Sequence, residues 1–408
     1  MDRLKLVVGA MSLALAAPVA GAPDPLLAAA QAALPDQLAL LESVVNIDSG
    51  TGDAAGGARV MAVLTPRLRT LGATIETVPA EAPGLADNLV AMFTGTGTAR
   101  ILLIGHIDTV FGPGTVAKWR FSNDGTRLHG PGVGDEKGGV VEAVKAIELL
   151  HAAGFDAFKT VTLLIETSEE RGSPGTRKLI DRLLAHADVE LNLEPGDAPD
   201  KLTVWRKGST VFTIDVAGRA AHAGVAPQDG RNAAVELLHQ LAEYDKFPHD
   251  GEGLTVNLTL LSAGTRNNII PDHATATFSV RPRVPAQADA VERQLQAAAD
   301  HVAVPGTTVR IVREAAFPPL PENPATAALA ARAAKLYAAT GRKLGTGGNG
   351  GASESAMAAA RGVPALDGLG PVGGGFHSDG EYVELASMTP RLYLLAALIR
   401  DLGVKGLR

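Results

Sequence analysis

The sequence predicts an α/β protein with a mostly parallel sheet flanked by helices, into which a smaller α+β domain is inserted. Apolar runs such as "RILLIGHID" and "TVTLLIETS" alternate with amphipathic stretches such as "GVVEAVKAIELLHAAG", as in buried parallel strands linked by helices. Near residue 205 apolar and polar residues begin to alternate one by one, which is typical of an antiparallel sheet with one solvated face. Helical patterns return after "AFPPLPENP".

The elements of the larger domain follow in order. Helical periodicity covers residues 25–71 and is broken by "NIDSGTGD". Strands at "NLVAMF" and "RILLIGHID" precede the long helix, which ends at a glycine. The strand "TVTLLIETS", the helix "GTRKLIDRLLAHA" and the strand "VELNLEP" come next. Residues 23–205 and 316–408 are therefore assigned to one domain.

Residues 206–315 are assigned to the inserted domain. Their patterns follow the order β-α-β-β-α-β, which predicts a small, open-faced, ferredoxin-like sandwich. The segment "AFPPLPENP" is interpreted as the linker by which the chain returns to the larger domain.

Residues 1–22 have the layout of a secretory signal peptide. Arg3 and Lys5 precede an apolar stretch, and small residues follow at Ala20 and Ala22. The stretch is too short for a comfortable membrane span; a helical or disordered extension is the alternative interpretation. We expect a periplasmic or secreted protein without membrane attachment once the signal is removed.

Composition excludes several classes of function. The 408 residues carry a net charge of −7, so no basic surface favours nucleic acid as a partner. Aromatic residues make up only 4% of the chain, which argues against a platform for stacking bases or sugars. The chain has no cysteine, so any metal must be held by His, Asp and Glu.

Polar residues stand where ligands bind in open parallel sheets, at the carboxyl ends of predicted strands and in glycine-rich turns. These residues are His106, Asp108, Asp135, Glu169, Glu170, Glu194 and His377. Each one alone is more often a turn former or a satisfied polar residue. Their convergence on neighbouring sheet edges predicts a metal site.

Two metal ions about 3.5–4 Å apart would use such residues well, as in paired hydrolytic sites. A bridging carboxylate, with one histidine and one carboxylate on each ion, requires two histidines and three acids. One further acid is then free to act as a base. Asp108, two residues after His106, is placed to accept the imidazole N–H. A site with one functional ion stays an alternative.

Five motifs resemble those of the zinc exopeptidase family that includes acetylornithine deacetylase, succinyl-diaminopimelate desuccinylase and glutamate carboxypeptidase. They are "GHIDTV", "GPGVGDEKGG", "TSEERGSPGT", "LEP" and "HSDGEYV". The likeness runs from about residue 40 to the C-terminus, includes the inserted domain, and is greatest to the secreted glutamate carboxypeptidases of the carboxypeptidase G type. It implies a zinc-exopeptidase-like fold whose inserted domain serves as a lid and as the dimerisation surface of a homodimer.

The resemblance also implies roles for the motif residues. His106 and Glu194 would complete one zinc site, Glu170 and His377 would complete the other, and Asp135 would bridge the two Zn²⁺ ions. Glu169 would be the general acid and base, and Asp108 would orient His106. The family pattern further implies a cis peptide bond between Asp135 and Glu136.

In the inserted domain, "GRAAHAG" resembles the segment whose histidine reaches the active site of the partner subunit. His222 would then stabilise an oxyanion in trans; a turn histidine is the alternative interpretation. "TRNNIIPDHATATFSVR" resembles the segment that supplies Asn268 and Arg281 to the free carboxylate of the substrate. Ser353 stands where threonine is frequent and Glu136 where aspartate is commoner, so side-chain specificity stays open.

These features predict an exported di-zinc metallopeptidase that hydrolyses the amide bond beside a C-terminal residue with a free carboxylate, with glutamate as the expected leaving residue. Its substrates would be small peptides or N-acyl amino acids. The alternatives are an N-acyl-amino-acid deacylase or a dipeptidase of the same family. A metal-binding protein without catalysis is disfavoured, because the base Glu169 and all five ligands are present.

Overall fold

Helices and strands alternate along the chain in a computed structural model that describes residues 24–242, 244–315 and 317–407. The predicted signal peptide, residues 1–22, lies outside the described residues. The α-helices are α1 (Pro25–Val45), α2 (Ala54–Thr70), α3 (Lys137–Ala152), α4 (Arg177–Leu184), α5 (Ala233–Leu241), α6 (Pro285–Ala299), α7 (Pro324–Tyr337), α8 (Ser355–Ala360) and α9 (Leu385–Lys405).

The strands form separate sheets in the larger domain and in the inserted segment. They are β1 (Thr74–Val78), β2 (Asn88–Thr94), β3 (Arg100–His106), β4 (Ser122–Asn123), β5 (Arg127–His129), β6 (Thr160–Glu166), β7 (Val189–Asn192), β8 (Pro195–Gly196), β9 (Lys201–Arg206), β10 (Thr210–Ala217), β11 (Ala221–His222), β12 (Thr255–Ala263), β13 (Ile269–Ile270), β14 (His273–Arg281), β15 (Thr308–Ala315), β16 (Gly345–Asn349), β17 (Ala365–Leu366), β18 (Gly370–Gly374) and β19 (Tyr382–Glu384).

The central sheet has the strand order β1-β2-β6-β3-β7-β17. Strands β6, β3, β7 and β17 pair in parallel, whereas β1 and β2 form an antiparallel edge. The predicted α/β class with a mostly parallel sheet is therefore confirmed. Its parallel strands β3, β6 and β7 end in, or are followed at their carboxyl ends by, the predicted site residues His106, Glu169, Glu170 and Glu194.

Strand β3 shows why the central strands are continuous apolar runs. Ile101 and Leu103 belong to the large core formed with α1, α3 and α9, while Leu102 and Ile104 pack with residues of α4 and α8. Successive side chains of a strand point to opposite faces, so a strand covered by helices on both sides needs apolar residues at every position.

The inserted segment forms a four-stranded antiparallel sheet in the order β12-β14-β10-β15, with α5 and α6 packed on it. Buried and partly exposed residues alternate along β10, and Phe212, Ile214 and Phe278 lie in a core separate from that of the larger domain. The element order β10-α5-β12-β14-α6-β15 is the predicted ferredoxin-like arrangement.

The stretch of alternating apolar and polar residues near residue 205 contains two strands that belong to different sheets. Strand β9 pairs in parallel with β16 of the larger domain, and β10 begins the inserted sheet after a break at residues 207–209. Arg206, the last residue of β9, thus belongs structurally to the larger domain. The two strands were not separable by pattern because both alternate apolar with polar residues.

A further sheet in the order β4-β5-β19-β18-β8 lies beside the central one. Its strands β18 and β19 are joined by residues 375–381, which carry His377. Among the described residues, no helix combines the length and hydropathy that a membrane crossing requires.

Candidate active site

Strand ends and turns bring the predicted ligands together. His106 ends β3, Glu194 lies two residues after β7, and Asp135 lies in the turn before α3. Glu169 and Glu170 follow β6 in a short 3-10 turn, where the alternation of strand side chains no longer applies. His106, Glu169, Glu170 and Glu194 thus lie at the ends of parallel strands of one sheet, whose carboxyl ends meet at one edge. Asp135 comes from the turn before α3, and His377 from the loop between β18 and β19.

Two clusters of nitrogen and oxygen atoms share Asp135. His106 Nε2 lies 3.1 Å from Asp135 Oδ1 and 3.5 Å from Glu194 Oε1. His377 Nε2 lies 3.3 Å from Asp135 Oδ2 and 3.0 Å from Glu170 Oε2. Within each cluster the candidate ligand atoms lie within 4.8 Å of one another. Each carboxylate oxygen of Asp135 therefore faces a different cluster.

The donors of both clusters fit a divalent metal ion. Each cluster combines one imidazole with two carboxylates, a set that suits zinc and related ions. His377 is held at φ 63°, a left-handed conformation that few non-glycine residues adopt. The surrounding turn thus imposes the direction in which this imidazole points. The Asp135–Glu136 peptide bond is cis, as the resemblance implied.

The acids of the site have strongly perturbed pKa values. Burial would raise the pKa of Asp135, but hydrogen bonds to His106 and His377 lower it below its ordinary value. Burial raises the pKa of Glu170 despite its bond to His377, and raises that of Glu194 to about 7 despite the charge of Arg206. The fold therefore gathers more buried negative charge than its own cations balance, which favours a bound cation.

Glu169 stands beside both clusters without belonging to either. Its Oε2 lies 3.9 Å from His106 Nε2, and its carboxylate borders the adjoining cavity. Burial, together with the charge of Glu354, raises its pKa well above the ordinary value. A carboxylate with raised proton affinity at the edge of a metal site has the properties of a general base.

Asp108 contacts His106 through its main-chain carbonyl, and its carboxylate binds other groups. The imidazole Nδ1 of His106 donates to the main-chain carbonyl of Asp108 at 2.9 Å, while the Asp108 carboxylate is 3.5 Å away. That carboxylate instead accepts the backbone N–H groups of Glu169 at 3.1 Å and Glu170 at 3.3 Å. It also accepts the hydroxyl of Thr51 at 2.7 Å. Asp108 thus holds the backbone of Glu169 and Glu170 as well as contacting His106.

A cavity of about 240 Å³ opens beside the clusters. It is lined by Asp135, Glu169, Glu170, Gly172, Glu194, Pro195, Arg206, Ser209, Arg281, Phe317, Asn349, Gly351, Ala352, Phe376 and His377. Arg281, at the end of β14, brings a guanidinium from the inserted sheet to this cavity, and burial lowers its pKa. An anionic group of a ligand would therefore find its counter-charge here.

The structure does not bring His222 and Asn268 into this cavity. Both are exposed: His222 ends β11, and Asn268 directly precedes β13, the partner strand of β11. Ala223 N–H donates to the Asn268 carbonyl at 2.9 Å. His222 Nδ1 accepts the backbone N–H groups of Gly224 and Val225, each at 3.1 Å. Arg281 and Asn268 are therefore separated within one chain.

Ser353 and Glu136, the two residues that differ from the family pattern, are both buried. Ser353 is fully buried and its hydroxyl donates to Asp367. Glu136 is fully buried behind His106, whose backbone N–H donates to Glu136 Oε2 at 3.2 Å. Neither residue lines the cavity, so both act on the site from behind.

Sequence reasoning missed the groups that support the ligands. Glu381, in the motif "HSDGEYV", accepts backbone N–H groups from the turn that carries Asp135. Arg206 contacts Glu194 and Asp367. Burial opposes the charge of Arg206, yet Asp367 and Glu194 hold its pKa above the ordinary value. The motif offered a signal for Glu381, whereas Asp367, which pairs with Arg206, lies 161 positions away along the chain.

Comparison with known proteins identifies the family of the chain. The model of the peptidase family M20/M25/M40 matches residues 102–401. Carboxypeptidase G2 of Pseudomonas sp. (strain RS-16) is 35% identical over 91% of this chain and 91% of its own. A succinyl-diaminopimelate desuccinylase of Gluconacetobacter diazotrophicus is 30% identical over 90% of this chain and 96% of its own.

Solved structures agree on the fold. The crystal structure of a tripeptidase from Staphylococcus aureus superposes with a TM-score of 0.76 at 20% identity, and covers 91% of this chain and 99% of its own. At this identity the likeness concerns the fold. Together with the family match and the two relatives, it confirms the resemblance seen in the motifs. The chain belongs to the peptidase family M20/M25/M40 and is a metallopeptidase.

Proposed function

We propose that this metallopeptidase is a di-zinc carboxypeptidase that hydrolyses the amide bond beside a C-terminal residue with a free carboxylate. The observation that carries the proposal is the division of Asp135 between two clusters, with its oxygens 3.1 Å from His106 Nε2 and 3.3 Å from His377 Nε2. Glu169, which neither cluster uses, stands beside them as a base.

The metal assignment rests on the donor set. One imidazole and two carboxylates in each cluster suit zinc, and a shared carboxylate suits a pair of ions. His106, Asp135 and Glu194 would hold one ion, and Asp135, Glu170 and His377 the other. Bound zinc would supply Lewis acidity toward the substrate carbonyl and lower the pKa of water.

Glu169 performs the proton transfers in this proposal. Its carboxylate accepts a proton from the attacking water and then donates it to the nitrogen of the leaving amine. The hydrogen bonds from the backbone of residues 169 and 170 to Asp108 hold it in place. No other carboxylate is required to change its protonation state.

Arg281 is proposed to select the substrate. Its guanidinium reaches the cavity that Glu169 also borders, and it would bind the carboxylate of the C-terminal residue through two parallel hydrogen bonds. Glutamate is the proposed leaving residue, in line with the likeness to the glutamate carboxypeptidases. The identity with Carboxypeptidase G2 supports a carboxypeptidase.

A second candidate is an N-acyl-amino-acid deacylase or a dipeptidase. The identity with a succinyl-diaminopimelate desuccinylase, an enzyme named for removing an acyl group, favours it. Both candidates break an amide bond next to a carboxylate-bearing residue and use the same site. They differ only in the chemical group on the acyl side of the amide bond that is hydrolysed.

The deciding experiment measures products released from N-acyl amino acids, folate-type glutamates and dipeptides, with zinc per chain determined in parallel. We expect two zinc ions, loss of hydrolysis on chelation, and preferred release of C-terminal glutamate. Preferred turnover of other acyl amino acids or dipeptides would favour the second candidate. Hydrolysis that survives complete chelation would refute the metal-dependent mechanism, and a single ion at full activity would refute the paired site.

We further propose a homodimer formed through the inserted domain. Strand β12 is an edge strand that exposes Leu260 and Leu261, and α5 exposes Leu238. An edge strand with exposed apolar residues is a ready surface for pairing with a second chain. His222 and Asn268 lie on this domain outside the cavity of their own chain, which supports a role in the site of the partner.

Export is proposed from the N-terminal layout alone. Arg3, Lys5 and the following apolar stretch indicate a secretory signal. Fractionation of cells that express the full chain, with N-terminal sequencing of the mature protein, tests this. We expect a periplasmic or secreted protein that begins after Ala20 or Ala22; an uncut cytosolic protein would contradict it.

A further inference from the structure

The two carboxylate oxygens of Glu194 face different partners. Oε1 lies 3.5 Å from His106 Nε2, on the side of the metal cluster. Oε2 accepts a hydrogen bond from a guanidinium nitrogen of Arg206 at 3.2 Å. A charged hydrogen bond to one oxygen of a ligating carboxylate fixes the direction of the other oxygen, which stays available to a metal.

Arg206 is itself held in one orientation. Its Nε and one terminal nitrogen donate to the two oxygens of Asp367 at 2.8 and 2.6 Å. The Ser353 hydroxyl donates to the same carboxylate, and the backbone N–H of Thr203 donates to the Asp367 carbonyl at 3.0 Å. Arg206 is 3% exposed and Asp367 is fully buried, so water does not compete for these bonds. The guanidinium cannot turn without breaking the pair.

Charge explains why the arginine is paired. A lone guanidinium against Glu194 would neutralise the ligand and repel a dication in the same cluster. Asp367 balances that cation, so the pair contributes a hydrogen bond to Glu194 with little net charge. Glu194 then keeps its negative charge for the metal while its orientation is set.

We propose that the Arg206–Asp367 pair, with Ser353 behind it, positions Glu194 as a one-oxygen ligand and thereby sets the metal affinity of the cluster around His106. Arg206 is thus a positioning residue, although it borders the cavity. This inference rests on the proposed metal site. It also gives a role to Ser353, whose departure from the family pattern now bears on metal binding.

The test is the zinc affinity of each of the two sites, measured by competition with a chromophoric chelator, together with kcat and KM at saturating zinc. In Arg206→Gln we expect one site to bind zinc roughly 10- to 100-fold more weakly, as for other groups that orient a ligand. The second site and KM should stay close to wild type, and added zinc should recover most of kcat. In Asp367→Asn the same site should weaken, because the guanidinium loses its counter-charge.

Arg391→Gln is the matched control. Arg391 is fully buried and pairs with Asp200 at 2.8 Å, but contacts none of the five proposed ligands. It should lower stability while leaving both zinc affinities unchanged. An equal loss of zinc affinity in this control would show a general effect of breaking a buried pair, and would overturn the inference.

Two other outcomes overturn it. One is unchanged zinc affinity in Arg206→Gln with a raised KM, which would assign Arg206 to the substrate. The other is unchanged zinc affinity in Asp367→Asn. This second outcome decides the question if Arg206→Gln does not fold. Failure of the wild-type chain to bind zinc would instead refute the proposed function, so the two failures are distinguishable.

Discussion

The backbone N–H of Asp135 donates a hydrogen bond to the carboxylate of Glu381 at 3.0 Å. The same oxygen accepts the N–H of Gly134 at 2.9 Å, and the other oxygen accepts that of Gly132 at 3.2 Å. One buried carboxylate from the C-terminal part of the chain thus holds three donors of the turn that presents Asp135, the residue shared by both clusters. The position of both clusters depends on this contact.

Replacement of Glu381 by Gln should therefore loosen the turn. An amide has one acceptor oxygen, and its NH2 group would face a backbone N–H. We expect a loss of roughly 1–3 kcal/mol in the free energy of unfolding, the range for a buried group left unsatisfied, and weaker metal binding. Chemical denaturation of metal-free protein measures the first effect, and chelator competition the second.

Glu384→Gln is the control for that prediction. Glu384 pairs with Arg127 at 2.9 Å on a side chain that is 35% exposed. An exposed pair contributes only about 0–1 kcal/mol, so this variant should bind metal normally. Equal stability and metal affinity in the Glu381 and Glu384 variants would contradict the assigned role of Glu381.

The adjacent acids Glu169 and Glu170 should respond differently to the same change. Glu169→Gln should reduce kcat by roughly 10²- to 10⁴-fold, the contribution of a general base, while metal content stays at the wild-type level. Glu170→Gln should weaken the binding of one ion, because Glu170 belongs to the cluster with His377. Metal analysis beside steady-state kinetics separates the two. Loss of metal in Glu169→Gln would identify it as a ligand.

Arg281→Ala should raise KM for substrates with a free terminal carboxylate by roughly tenfold to hundredfold, because a charged hydrogen bond contributes about 1.5–3 kcal/mol. Amidated substrates should be affected far less. Arg283→Ala is the control, since Arg283 lies over the Trp205 ring at 3.6 Å and does not line the cavity. Similar effects on carboxylate and amide substrates would show that Arg281 does not recognise the terminal carboxylate of the substrate.

Glu142 predicts a pH dependence of stability. This residue of α3 is fully buried, neither of its carboxylate oxygens has a hydrogen-bond partner in the described part of the chain, and burial raises its pKa well above the ordinary value. Arg391 lowers and Asp200 raises that pKa to a smaller extent. Because the folded state holds the proton more tightly than the unfolded state, this group lowers stability as pH rises above its unfolded pKa.

Glu142→Met should therefore raise the free energy of unfolding at neutral and alkaline pH, by about 1–3 kcal/mol, and have little effect near the unfolded pKa of about 4.3. Denaturation series at several pH values measure this difference. Glu148→Gln, on the same helix, should instead lower stability slightly, since Glu148 pairs with Arg67 at 3.2 Å and with Lys145. A pH-independent effect of Glu142→Met would contradict the raised pKa.

The proposed dimer predicts complementation between inactive chains. His222→Ala lacks the group proposed to act in trans, and Glu169→Gln lacks the proposed base. A mixed dimer would contain one site with both wild-type residues, so mixing and reassociation should restore part of the activity. Each variant alone is the control. Failure to recover activity, with mixed dimers demonstrated by size and mass, would place His222 outside the partner site.

Local pattern was sufficient for the order of the main helices and strands, the α/β class and the identity of the ligand candidates. Strands such as β3 and β6 are buried on both faces, so their sequences are unbroken apolar runs that end abruptly at polar residues. The polar residues at those ends can therefore be recognised from the amino-acid sequence alone. Glu169 and Glu170 were found in this way.

Contacts between distant segments of the chain could be identified only from the tertiary structure. Arg206 reaches Asp367 across 161 positions of the chain, and Glu381 reaches Asp135 across 246. A buried charged residue looks like a surface residue in the sequence, because only the fold decides whether it meets water or a partner. Only the structure shows that the Asp108 carboxylate accepts hydrogen bonds from the backbone of residues 169 and 170. It also shows that His222 lies outside the cavity. The sequence pattern identifies which side chains can bind a metal. Burial and hydrogen bonds between distant residues decide how each of these side chains is oriented.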